Sequence, residues 1–188
     1  QNYVRGILSG KIKNGFENKS LNVAKSLQWT TGSFLSAAIH AYLHKENTFS
    51  PTSGFHHAGY NYANGFCTFN GLTIAAILLK KQYKAKHIGI LDLDSHAGDG
   101  TLNTIDKTNS GDFITHYSLG YHDIQKHNNA EWLDNLPNLI QENFADCDIL
   151  LYQAGVDCHE DDPEVYSGHF TTEQIYLRDK LVYSTCKE

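Results

Sequence analysis

HIGILDLDSHAGDG, residues 87–100, begins as a strand and ends as a loop dense in acids, histidine and glycine. Its first eight residues, 87–94, form a nearly continuous apolar run, the pattern of a strand covered on both faces. Two more runs of this kind follow, FITHYSL at 113–119 and DILLYQA at 148–154. Between and around them the period changes to three and four residues. Residues 21–44 read as helical, with Val23, Leu27, Phe34, Leu35, Ala38 and Leu43 in step and a break or helix start at Gly32-Ser33. Residues 71–83 predict a second helix with Ile74, Ala75, Ile77 and Leu78 on its apolar face. Residues 131–144 predict a third, which Pro137 should start, kink or interrupt. Thr171 or Thr172 caps a last helix with Ile175, Leu177 and Leu181 as apolar positions. Strands alternating with helices imply an α/β fold with a mainly parallel sheet. Ligands of such sheets sit at the carboxyl ends of the strands, where the acids of residues 91–100 fall.

Composition sets the class. The 188 residues, 40% apolar and 19% charged, suit one ordinary globular domain spanning 1–188, with no repeat or linker to divide it. A net charge of −6 offers no basic face for nucleic acid. No apolar run approaches the roughly 20 residues that span a bilayer, and Gln1-Asn2-Tyr3-Val4-Arg5 lacks the pattern of a signal peptide. Cys67, Cys147, Cys158 and Cys186 show no CxxC spacing, so they read as reduced thiols of a cytoplasmic protein.

In an extended segment, residues two apart face the same way. Asp92, Asp94 and His96 therefore project to one side, and Asp157, at the end of the 148–154 strand, can meet them. A single Asp at a strand end is commonplace. Two carboxylates and an imidazole on two strands are a mixed oxygen and nitrogen donor set for zinc or another divalent transition metal. Three protein ligands leave a fourth position for water or substrate, as in catalytic sites. His56-His57, ahead of GFCTFN (65–70), adds a pair of acid/base candidates. Cys158 beside Asp157 is a poor nucleophile candidate, because it should point away from its neighbour.

SGFHHA (53–58), GFCTFN (65–70), LDLDSHAGDG (91–100) and QAGVD (153–157) with DDP (161–163) together resemble, in order, the motifs of the histone deacetylase family. That family includes bacterial acetylpolyamine amidohydrolases and acetoin-utilisation proteins. The resemblance implies a three-layer α/β/α arginase-deacetylase fold and one zinc ion on Asp94, His96 and Asp157. It implies that His56 and His57 are the catalytic pair, with Asp92 supporting His56 and Asp99 supporting His57. Gly65 and Phe66 would line the acyl-lysine channel, and a structural potassium ion would lie around Asp92, Asp94, His96 and Ser118. The substrate would be an acetylated small amine or an acetyl-lysine peptide or protein.

The chemistry is coherent with these residues. Amide hydrolysis needs a nucleophile at neutral pH, a polarised carbonyl and a proton for the amine. Zinc lowers the pKa of water from about 15.7 to about 7, worth about 12 kcal/mol. A histidine beside that water can take its proton, with carboxylates fixing its tautomer. His57 is assigned as principal base and acid, His56 as its electrostatic partner. Three departures from the family pattern stand out. Ala97 replaces a second His, Gly71 follows Asn70 where Asp is common, and no Tyr lies in a Gly-rich loop like the one that polarises the substrate carbonyl. An N-terminal strand and that C-terminal segment are expected outside residues 1–188. A metal-retaining but inert acyl-lysine module and a two-manganese ureohydrolase are the alternative readings.

Overall fold

The computed structural model describes residues 2–186, which group into two compact units. Of the described residues, the first comprises 2–86 and 99–114, the second 87–98 and 115–186.

The first unit is helical. It holds α1 (Asn2–Leu8), α2 (Leu21–His44), α3 (Gly71–Tyr83) and α4 (Asp99–Thr108). Ser20 starts α2 by accepting from the Val23 amide, and Lys45 ends it in the left-handed conformation. The break expected at Gly32-Ser33 is absent, and α2 is one helix of 24 residues. A Cβ at Gly32 would meet nothing within 4 Å, so no neighbour bends the chain there. A glycine in a helix costs only about 1 kcal/mol, too little to stop a long one.

In α3 the buried stripe is Leu72, Ala75, Ala76 and Leu79, and Ile74 faces out. That stripe follows i, i+3, i+4, i+7, so it is shifted from the face expected around Ile74 and Ile77. Asn70 caps α3 by accepting from the Thr73 amide, and its own amide group donates to the Ala58 carbonyl and Thr101. The cap thus ties the helix start to the segment that follows the histidine pair.

The second unit is built on a sheet of β1 (Ile88–Asp92), β2 (Ile114–Ser118) and β3 (Ile149–Gln153), in the order β2-β1-β3. β1 and β3 run parallel, with Asp92 opposite Gln153 at the last register position. All five β1 residues are buried, as expected of a central strand covered on both faces. Residue Gly89 in β1 is required by packing, since a Cβ there would lie 2.6 Å from Phe144 and Leu150.

Helices α5 (Asn129–Phe144) and α6 (Thr172–Thr185) pack together beside this sheet. Leu91, Leu93, Leu119, Leu133, Leu136, Ile140, Phe170 and Val182 join in one core. Pro137 lies inside α5 without ending it. Thr171 caps α6 in a reciprocal box with Gln174. On α6 the inward residues are Arg178 and Val182, whereas Leu177 faces out. The hydropathy pattern misplaces this helix face because it treats a charged residue as outward by default. Among the described residues no helix is long and apolar enough to cross a membrane.

Candidate metal centre and histidine pair

Two loops of the second unit carry the acids. β1 ends at Asp92 and β3 at Gln153, and the last ladder bond between them runs from the Leu93 amide to the Gln153 carbonyl. Beyond that bond both chains leave extended geometry. Asp94 and His96 therefore do not converge by strand alternation, as the sequence suggests, but through tight turns. Asp92 Oδ1 accepts from the Asp94 amide at 3.2 Å, and Asp94 Oδ1 accepts from the His96 amide at 2.9 Å. Each acid folds the chain back over the two residues that follow it, the habit of Asp in turns.

The second loop meets the first. Asp157 Oδ1 accepts from the Ser95 amide at 3.1 Å, and His96 Nδ1 lies 2.8 Å from Asp157 Oδ2 and 3.3 Å from Asp94 Oδ1. One donor atom each from Asp94, His96 and Asp157 falls within 4.8 Å of the others, the spacing a single ion can bridge. The residues are half-buried, so the centre remains open on one side.

The electrostatics fit a cation. Burial, and then the neighbouring Asp94, push the Asp157 carboxyl above its ordinary value, while the Ser95 amide and His96 pull it down. For His96 burial works against the charged ring, but the hydrogen bond and charge of Asp157, with those of Asp94, outweigh it and raise the pKa. Two acids that oppose one another and a ring that gathers a proton between them are what a divalent ion would relieve. Close backbone approach fixes the cradle. A Cβ at Gly155 would lie 2.7 Å from Asp94, and one at Gly120 would lie 2.0 Å from the His96 carbonyl carbon.

Asp92 and Ser118 sit beneath this cradle. Both are buried, and the Ser118 hydroxyl donates to Asp92 Oδ2 at 3.3 Å while accepting from the Gly98 amide. Ser95, between two ligands, turns the other way. Its hydroxyl accepts from the Tyr166 and Ser167 amides and donates to the Ser167 carbonyl, pinning the 166–167 loop.

Cys158 also turns inward and is fully buried. Burial, with Asp157 adding to it, pushes its thiol up to about 11 even though Arg178 opposes the shift. About 100-fold less thiolate than an ordinary thiol then exists near pH 8. Native Cys158 is expected to react with iodoacetamide at least ~100-fold more slowly than in urea, followed by peptide mass spectrometry. Equal rates in both states would restore it as a nucleophile candidate.

The first unit presents the histidine pair. The His56 and His57 rings lie 4.1 Å apart between centroids, tilted by 48°. His56 is buried, and its carbonyl accepts from the Thr101 amide at 2.9 Å. His57 Nδ1 sits 2.7 Å from Oδ1 of Asp99, the first residue of α4. That contact places a proton on Nδ1 and leaves Nε2 as the basic nitrogen.

Gly65 and Phe66 both have positive φ, +50° and +62°, in a two-residue turn closed by Asn64 and Cys67. Glycine suits the first position doubly, since a Cβ there would lie 2.4 Å from the His57 ring. Phe66 bears the strain of a left-handed backbone and holds its ring 69% exposed. Gly71 has its own reason, because a Cβ there would come within 2.8 Å of the Phe55 ring.

Residues 9–122, more than half of the chain, match the family model of the histone deacetylase domain. An uncharacterized protein of Picosynechococcus sp. is 28% identical across 98% of this chain and 66% of its own length. Two solved structures superpose over the whole chain. The HDA15 HD domain gives a TM-score of 0.77 at 17% identity, and an HDAC homolog from Aquifex aeolicus gives 0.75 at 21%. The chain spans 62% and 61% of those two chains. The fold is therefore the three-layer α/β/α arrangement of that group.

Proposed function

Because this chain belongs to the histone deacetylase family, we propose that it carries the zinc site of a hydrolase that removes an acetyl or other acyl group from an N-acylated amine. The observation that carries this reading is the convergence of Asp94, His96 and Asp157, with donor atoms within 4.8 Å of one another. A zinc ion bound there supplies Lewis acidity toward the acyl oxygen and makes water nucleophilic near neutral pH. Asp94 and Asp157 provide the negative charge that holds such an ion, and His96 offers Nδ1, the ring nitrogen that faces both carboxylates.

His57 takes the proton of the attacking water at Nε2 and returns it to the departing amine. Asp99, 2.7 Å from Nδ1, fixes that tautomer and steadies the ring while it is charged. His56 acts as its electrostatic partner, with Asp92 in the supporting role the family motifs give it. Gly65 and Phe66 border the path of the acyl chain, where an exposed aromatic face suits an alkyl stem. A potassium ion around Asp92, Asp94, His96 and Ser118 would stiffen the turns beneath the metal. The substrate is an acetyl-lysine peptide or an acetylated small amine, met in the cytoplasm, a placement that suits cysteines without CxxC spacing. Neither nucleic acid nor membrane takes part.

The test is acetate release. Full-length protein stripped of metal and reloaded with zinc is expected to free acetate from an acetyl-lysine peptide or an acetylpolyamine, and the stripped protein to free none. Zinc-loaded protein that hydrolyses neither substrate would overturn the proposal.

A further inference from the structure

Among the described residues Arg178 is the largest fully buried side chain, with none of its surface exposed. A charge so placed is costly unless it is paired, and this one is used in a particular direction, with Nη2 alone making no hydrogen bond. Its Nη1 donates to the Leu93 carbonyl at 3.1 Å and the Gly155 carbonyl at 2.7 Å, and contacts Cys158 Sγ at 3.0 Å. Leu93 immediately precedes Asp94, and Gly155 and Cys158 bracket Asp157. One nitrogen thus holds both ligand-bearing segments, just past the point where the β1–β3 ladder stops.

The rest of the guanidinium is anchored in turn. Nε donates to Asp179 Oδ1 at 2.9 Å, and Nη2 lies 2.8 Å from that oxygen as an ion pair without a hydrogen bond. The Tyr152 hydroxyl donates to the same oxygen at 2.6 Å, and the guanidinium carbon lies 5.9 Å from the Tyr152 ring centroid. Arg, Asp and Tyr therefore form one unit, two members from α6 and one from β3.

We infer that Arg178 is a positioning residue for the metal centre: it clamps the two loops from behind, so that the Asp94 and Asp157 carboxylates stay converged before a cation arrives. Those carboxylates repel one another, and the ladder that would hold their backbones together has ended. A planar guanidinium can bond two carbonyls and a carboxylate at once, whereas an ammonium cannot match that fork. This inference rests on the metal reading of Asp94, His96 and Asp157.

The experiment measures metal binding on full-length protein, with Co2+ as a coloured probe and Zn2+ by competition against a chelator. Arg178→Lys is expected to weaken binding of both ions by ~10–100-fold, the range typical of losing a group that orients ligands, and to shift the visible Co2+ bands. Asp179→Asn keeps the guanidinium but loosens its anchor, and is expected to move both readouts in the same direction by a smaller factor. It also decides the matter should Arg178→Lys fail to fold. A purely structural role would lower the unfolding midpoint and leave the affinity and Co2+ spectrum of the folded protein unchanged. Wild-type affinity and spectrum in the folded variants would overturn the inference alone. Absence of metal uptake by the unsubstituted protein would overturn the metal reading and the inference together.

Discussion

Asp94→Asn is expected to yield a folded protein that binds zinc more than ~100-fold more weakly and releases no measurable acetate. The lower bound follows from the ~10–100-fold cost of losing a group that merely orients a ligand, since a ligand itself contributes more. The substitution is nearly isosteric. Asn retains an oxygen to accept from the His96 amide, the 2.9 Å bond that forms the turn. What disappears is the charge. Without it the Asp157 carboxyl is expected to move down, because Asp94 is among the causes that raise it. The metal-free variant should then be no less stable than the parent. Chelator competition and urea unfolding measure the two quantities separately. A variant that binds zinc like the parent would remove Asp94 from the ligand set.

The second large effect is on turnover without metal loss. His57→Ala is expected to lower the rate of acetate release by ~10²–10⁴, the usual contribution of a positioned acid/base group, with zinc content unchanged. His57 is not among the three residues whose donor atoms converge, so the substitution removes no ligand from the cradle of Asp94, His96 and Asp157. Asp99→Asn is expected to act in the same direction and more weakly, since it alters the 2.7 Å contact that sets the His57 tautomer but leaves the base in place. Metal analysis alongside steady-state rates distinguishes this outcome from general damage. Full activity in His57→Ala would transfer the acid/base role elsewhere.

Much of this was legible in the residues themselves. The apolar run 88–92 announces a doubly covered strand because burial on both faces leaves no polar alternation. Residues 71–83 read as a helix, and α3 spans Gly71–Tyr83. Asp94, His96 and Asp157 stand out as donors of the right chemistry, and the structure brings them together.

The way they meet was not legible. Alternation fails after Asp92, where side-chain acceptors fold the chain into turns that a period-two pattern does not encode. The continuity of α2 through Gly32 also escaped, because a glycine signals a break only when a neighbour or a turn exploits it. Helix α4, which opens at Asp99, was missed since DGTLNTIDKT holds only two apolar side chains, Leu102 and Ile105, and buries Thr101 and Thr104 beside Ile105. Arg178 was invisible for the opposite reason. Its place in the core depends on carbonyls 85 and 23 residues away, partners that no local pattern reveals.

The most direct measurement is a titration of metal-free, full-length protein with zinc while acetate release is followed. Activity is expected to rise linearly and stop at one equivalent per chain, with Asp94→Asn showing no rise at all. A break at two equivalents, or acetate release that does not depend on zinc, would contradict a single-metal hydrolase built on Asp94, His96 and Asp157.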